Sequence, residues 1–210
     1  MKVLLINGSP NKNGCTFTAL SEVAHTLEEE KISTDMFHIG NKPIAGCLGC
    51  QQCMKLGKCV WNDAVNDCLS LIGDYDGFIF GSPVYYSSAN GAMSAFMDRL
   101  FISELCRGTN RFYLKPAAAV VSARRAGTTA TLDQLNKYFL MTQMPIISSQ
   151  YWNMVHGNTP DEVKQDLEGM QIMRTLGRNM AFHLKCKDMA IQMGVEYPKR
   201  EELIETNYIR

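Results

Sequence analysis

The sequence predicts a doubly wound α/β sandwich, a parallel sheet of five strands with helices on both faces. Three observations carry this. Short apolar runs recur along the chain, several of them continuous instead of alternating, as strands covered on both faces require. Between them lie segments whose apolar residues step by three or four, the period of a helix with one buried face. No Pro/Gly/Ser-rich or charged run divides the 210 residues as a linker would, so a single domain over 1–210 is expected.

The first strand is expected over 3–6, where Val3, Leu4, Leu5 and Ile6 run without a break, and the first helix follows with Phe17, Leu20, Ala24 and Leu27 on one face. A partly polar run over 32–39 gives the second strand. The cysteine-rich stretch 43–61 then replaces the ordinary short connection to the second helix. Residues 78–80 supply the third strand, and Met93, Phe96, Met97, Leu100 and Phe101 supply the face of the helix after it. The fourth strand is expected at 117–121, its helix carries Leu132, Leu135 and Phe139, and the fifth strand is expected at 145–147. Beyond Pro160, the spacing of Val163, Leu167, Met170, Met173, Leu176, Met180 and Leu184 predicts one long helix in the C-terminal part, 160–210. Ligands of such sheets bind beyond the carboxyl ends of the strands. The loops near 8–16, 82–90, 122–129 and 148–158 are therefore the place for a site.

Composition narrows the function. With 46% hydrophobic and 20% charged residues the chain is globular, without the run of about 20 apolar residues that a membrane span needs. The apolar opening is too short for a secretory signal, which points to the cytoplasm. Twenty-one basic and 21 acidic residues leave no net field to recruit nucleic acid or an anionic membrane. The same neutrality counts against a diffusing electron shuttle with a one-signed surface. Eight cysteines in a chain of this size without a signal suit metal or redox work better than a disulfide framework.

After the first strand comes Gly8-Ser9-Pro10-Asn11-Lys12-Asn13-Gly14-Cys15-Thr16, which leads at once into helix. Backbone N–H groups and hydroxyls at a helix N-terminus attract a phosphate. The loop has neither the three-glycine dinucleotide spacing nor a Gly-Lys-Ser/Thr ending, so a compact monophosphate fits better. The plain alternative is a turn in which Ser9, Asn11 and Thr16 cap the helix. Farther along, Gly81-Ser82-Pro83-Val84-Tyr85-Tyr86-Ser87-Ser88 sets two aromatics beside a proline, and Ser122-Ala123-Arg124-Arg125-Ala126-Gly127-Thr128-Thr129 is polar and cationic. A flat heteroaromatic ring could sit between them. His156 is a candidate proton donor at such a ring, with a solvated loop histidine as the alternative.

Cys47, Cys50, Cys53 and Cys59 fall within thirteen residues, the first three at three-residue steps. A [4Fe–4S] cluster uses this spacing. A four-thiolate structural zinc is a second reading, although its usual knuckles are farther apart. Reduced cysteines without metal are a third. Gly46, Gly49 and Gly57 would let the backbone wrap an inorganic core. Cys68, Cys106 and Cys186 fall in helices, where a small buried apolar residue is the usual explanation.

On these three features together, over roughly residues 1–150, the chain resembles the flavodoxin-like NAD(P)H-dependent FMN reductases, specifically their iron–sulfur flavoprotein branch. The resemblance implies that Ser9, Gly14, Cys15 and Thr16 hold the FMN phosphate. It implies that Pro83, Val84, Tyr85 and Tyr86, with Ser122, Arg124, Arg125 and Gly127, surround the isoalloxazine. Asn11 stands where the family commonly has Arg, and Cys15 where it has Asn or Ser, so weaker FMN binding is expected, with Lys12 supplying the missing charge. Arg124 and Arg125 would stabilise the anionic reduced ring and raise its potential, or else form a solvated turn. The resemblance further implies an FMN-dependent oxidoreductase passing electrons between flavin and cluster. NAD(P)H or a redox partner protein would be the donor, and a homodimer or homotetramer would bring one subunit's cysteine loop near another's flavin. The rivals are a cluster-free NAD(P)H:FMN or quinone reductase and a non-catalytic flavin- or zinc-binding redox-signalling module.

Overall fold

In a computed structural model, which describes residues 1–202 and 204–207, the chain forms a parallel sheet between two helical layers. Leu203 and residues 208–210 of the expected C-terminal tail lie outside the described residues. The order of elements is β1 (Lys2–Asn7), α1 (Cys15–Glu29), β2 (Ser33–His38), α2 (Gln52–Leu56), α3 (Ala64–Leu71), β3 (Gly77–Tyr85), β4 (Ser88–Ala89), α4 (Gly91–Cys106), β5 (Ala117–Ala123), α5 (Thr128–Met141), β6 (Met154–His156), α6 (Pro160–Gln165) and α7 (Leu167–Gln192). Five strands lie side by side in the order β2-β1-β3-β5-β6, all parallel, and β4 folds back antiparallel on β3.

Strand residues alternate between two buried layers. Leu4, Ile6, Phe78, Phe80, Ala119 and Val121 face the core beneath α3, α4 and α5, whereas Val3, Leu5, Ile79, Ala118 and Val120 face the core beneath α1 and α7. Burial on both faces is the reason these strands read as continuous apolar runs. The strand order reverses at β1 and β3, so the loops leaving these two strands open a crevice at the carboxyl edge.

Three expectations are corrected. The second Gly-Ser-Pro segment is strand and not loop: β3 continues through it, with Ser82 opposite Val121 and Pro83 opposite Ser122. Gly81 makes this possible, because a Cβ there would lie 2.7 Å from Leu20 Cδ1 and 2.9 Å from Thr16 Cγ2 of α1. The fifth strand is 154–156 and not 145–147. Residues near Ile146 form a single bridge to Ala117, the polar and aromatic stretch 148–153 swings out, and the chain returns to pair with Val121, Ser122 and Ala123. The single long last helix is instead two. Asp166 leaves helical geometry at ψ 80°, and its carboxylate accepts from Gly169 N at 2.9 Å and His156 N at 2.6 Å, starting a new helix against β6.

Candidate functional site: the loop edge and the cysteine cavity

The loop after β1 is held by its own side chains. Asn7 Oδ1 accepts from Ser9 N at 3.0 Å while its amide donates to Lys12 O, also at 3.0 Å. Ser9 Oγ accepts from Asn11 N at 3.1 Å, and His38 Nε2 lies 2.8 Å from Ser9 O. Gly8 N donates to Gly81 O at 2.8 Å, and Asn90 of the third-strand loop donates to Gly8 O. The two loops of the switch point are thus tied together. Gly14 is the N-cap of α1 and no side chain caps it. The first-turn N–H groups of a fifteen-residue helix are therefore free to take an anion.

Asn11 and Lys12 are exposed beside this helix end. Thr16 and Ser122 are buried, their hydroxyls 2.8 Å apart, and join α1 to β5 beneath the loops. The Cys15 thiol donates to Gly157 O at 3.7 Å, and burial pushes its pKa up, which keeps it neutral at the helix end.

Across the crevice, Tyr85 and Ser88 pair through the two-residue turn Tyr86-Ser87. Both turn residues have positive φ, +52° and +58°, the left-handed turn that usually takes Asn-Gly. A bulky Tyr86 in that conformation, fully exposed, is locally strained. Gly127, at φ +91°, comes so close that a Cβ would sit 2.7 Å from the Ser87 backbone. The turn is braced further by Gln134 Oε1, which accepts from Ser88 Oγ at 2.7 Å and Ala89 N at 2.9 Å. Pro83 and Val84 are half-buried beneath the turn, and Arg124 and Arg125 are exposed beside Gly127. The carboxyl edge gains an aromatic pair absent from the sequence-based set: Tyr151 and Trp152, half-exposed, meet edge to face at 4.4 Å in the 148–158 loop. His156 turns its ring toward Asp166 at 3.8 Å.

The cysteines form a second site. Cys47, Cys50, Cys53 and Cys59 all line one cavity of about 330 Å³ between the 43–61 segment and the outer face of α4. Gly49, Gln51 and Gly57 turn the backbone through positive φ around it, at +62°, +56° and +64°. Leu48, Met54, Val60, Trp61 and Ile102 make the walls largely apolar. Among the described residues no three His, Cys, Asp or Glu side chains converge as the ligands of one ion would. Thiols distributed around a cavity fit a polynuclear core, in which each sulfur binds a separate iron.

Two residues here escaped sequence reasoning. Cys106, read there as a packing cysteine of α4, lines the cavity as a fifth thiol; burial and its proximity push Cys53 up to about 11. Arg99, 1% exposed on α4, also reaches the cavity. Its signal was a lone arginine between Met97 and Leu100 on an apolar helical face.

A parallel sheet with a free helix N-terminus and aromatic, cationic loops at its switch point has the ligand crevice of the doubly wound, nucleotide-binding α/β proteins. Residues 1–159 match the NADPH-dependent FMN reductases, and the chain belongs to that family as a flavin-dependent oxidoreductase. It is 31% identical over 189 residues to an iron–sulfur flavoprotein of Methanocaldococcus jannaschii, covering 86% of this chain and 96% of that protein. Among solved structures, RosB with bound 8-demethyl-8-formylriboflavin 5'-phosphate superposes with TM-score 0.69 at 13% identity, over all of this chain and 94% of that one. The flavodoxin-like WrbA-like protein of Agrobacterium tumefaciens superposes with TM-score 0.61 at 14% identity, over 88% of this chain and 98% of that one. The flavodoxin-like fold is therefore as expected, and no helix among the described residues is long and apolar enough to cross a membrane.

Proposed function

We propose that this flavoprotein exchanges electrons between FMN and a [4Fe–4S] cluster. The observation that carries the reading is that four cysteines within thirteen residues all line one cavity. Similarity to an iron–sulfur flavoprotein supports it. When bound, FMN supplies two-electron and one-electron chemistry and the cluster supplies one-electron storage.

The chain's own contribution is binding and orientation. The free N–H groups of α1, with Ser9, Asn11, Lys12, Gly14 and Cys15 around them, would hold the phosphate, while Thr16, bonded to Ser122, braces the helix beneath it. Pro83, Val84, Tyr85, Tyr86 and Gly127 would form one wall for the ring, and Arg124 and Arg125 the other, where a cation favours the anionic reduced state. Cys47, Cys50, Cys53 and Cys59 would ligate the cluster, against walls that are largely apolar. The flavin loops contribute no residue to the cysteine cavity, while α4 begins against the first and ends against the second. That separation supports electron exchange between subunits of a homodimer or homotetramer. A nicotinamide or a redox partner protein, in the cytoplasm, would be the donor.

The test is iron, acid-labile sulfide, zinc and FMN per chain after purification without oxygen. About four iron and four sulfide beside one FMN are expected. FMN with no iron, and turnover with NAD(P)H, would reduce the protein to a simple flavin reductase. Stoichiometric zinc without turnover would make it a binding module.

A further inference from the structure

Arg99 makes an arrangement that a structural salt bridge alone would not require. Its Nη1 donates to Asp63 Oδ2 at 2.7 Å and its Nη2 to Asp63 Oδ1 at 3.0 Å, an end-on bidentate pair that balances the buried charge. Nη1 also reaches Ala45 O at 3.3 Å, on the near side of the cysteine run. The Nε–H is left over, and it points at Cys59 Sγ at 3.2 Å. Cys59 is fixed from its other side by Asn66, whose side chain accepts from Cys59 N and donates to Cys59 O, each at 2.9 Å. One thiol of the four is thus held in place, while Cys47 and Cys50 are exposed.

We infer that Arg99 is a positioning residue which presents Cys59 as the pre-set ligand of the cavity and, through its N–H···S hydrogen bond, raises the reduction potential of a cluster bound there. This rests on the cluster reading above. Reduction adds one electron and makes or breaks no bond. The added negative charge spreads onto the sulfurs, so a donor aimed at sulfur stabilises the reduced form more than the oxidised one. Because Asp63 already neutralises the guanidinium, the effect comes from the local N–H dipole and not from a net charge.

The test compares wild type with Arg99→Lys. Lysine keeps a cation for Asp63 but lacks the planar fork that serves carboxylate and sulfur in two directions at once. In anaerobically prepared holoprotein, the variant should keep its iron and sulfide while its midpoint potential falls, equivalent to about a fivefold change in the oxidised-to-reduced ratio at fixed potential, as for one hydrogen bond of about 1 kcal/mol. An unchanged potential with full iron overturns the inference. Cluster-free protein supplies an independent arm, iodoacetamide labelling of each cysteine at a pH well above the ordinary thiol pKa of about 8.5, where thiolate fraction no longer sets the rate and a held, hydrogen-bonded sulfur reacts more slowly, followed by peptide mass spectrometry. In wild type, Cys59 should react more slowly than Cys47. In Arg99→Lys, Cys59 should react about threefold to tenfold faster with Cys47 unchanged. Equal rates for Cys59 and Cys47 in wild type overturn the positioning role without any variant, and acceleration of both cysteines in the variant shows mere loosening of the loop. If wild type takes up no iron, the cluster reading fails together with the claim on potential, and the labelling pattern alone decides whether Arg99 holds Cys59.

Discussion

Asn90 performs two tasks with one amide, and substitution can separate them. Its Oδ1 caps α4 by accepting from Met93 N at 2.8 Å, and its Nδ2 donates to Gly8 O in the loop that follows β1. The residue is buried, so no water replaces either partner. Asn90→Ala removes the cap, worth about 1 kcal/mol, and leaves the Gly8 carbonyl without its donor, worth about 1–3 kcal/mol. The expected loss is about 2–4 kcal/mol in urea unfolding, with weaker FMN binding because the loop is no longer tied to α4. Asn90→Asp keeps the cap but turns a carboxylate oxygen toward the Gly8 carbonyl, so near neutral pH it should also destabilise. The introduced carboxyl would have a folded pKa raised above its unfolded value of about 3.9. Its deficit therefore shrinks as pH falls through the folded pKa, where the protonated acid can donate to Gly8 O. An Asn90→Asp protein as stable as wild type at neutral pH, or an Asn90→Ala cost below about 1 kcal/mol, would refute this account of the loop.

Three further outcomes are expected. Tyr86→Asn replaces a bulky side chain at φ +52° by one that tolerates the left-handed turn; thermal unfolding of FMN-free protein should show a gain of about 0.5–1 kcal/mol, and titration should show looser FMN binding. Arg111→Ala leaves the fully buried Glu104 carboxylate, which receives Arg111 Nη2 at 2.8 Å, without its counter-charge, though Thr109 Oγ1 and the backbone N–H of residue 111 still donate to it; it should cost about 3 kcal/mol, with part recovered when Glu104→Gln is added, and a double variant no better than the single one counts against the pair. Asp35 is held below the usual carboxylate range by hydrogen bonds from Lys2 and Tyr75, both at 2.6 Å. Its contribution is complete above the unfolded pKa near 3.9 and disappears as pH falls through the lower folded value. The stability difference between wild type and Asp35→Asn should accordingly vanish in acid, and a difference independent of pH would exclude the carboxylate as its source.

The core strands were legible because they are buried on both faces: Val3 to Ile6, Phe78 to Phe80 and Ala117 to Val121 read as apolar without reference to any partner. The fifth strand was misplaced because Pro145-Ile146-Ile147 is more apolar than Met154-Val155-His156, yet only the latter pairs with the carboxyl end of β5. Pairing at an edge depends on where the neighbouring strand ends, which local composition does not record. The break in the last helix was hidden for a similar reason. Asp166 fits the helical spacing around it, and its role as a cap emerges only with β6 beside it. At the loop edge, the residue types were readable but their directions were not: Thr16 and Ser122 turn to each other, and His156 turns to Asp166.

By itself, the sequence determined the layered α/β fold, the order of its loops along one edge, and the presence of four closely spaced thiols, since each follows from local period or spacing. Only the tertiary structure decided that Arg99 and Cys106 of α4 meet those thiols, and that Asn90 of one loop holds Gly8 of another. These are pairings of residues 40 to 82 positions apart, set by how helices and strands pack across the sheet. No local pattern of side chains encodes such a meeting, because it is fixed by the geometry of the whole core.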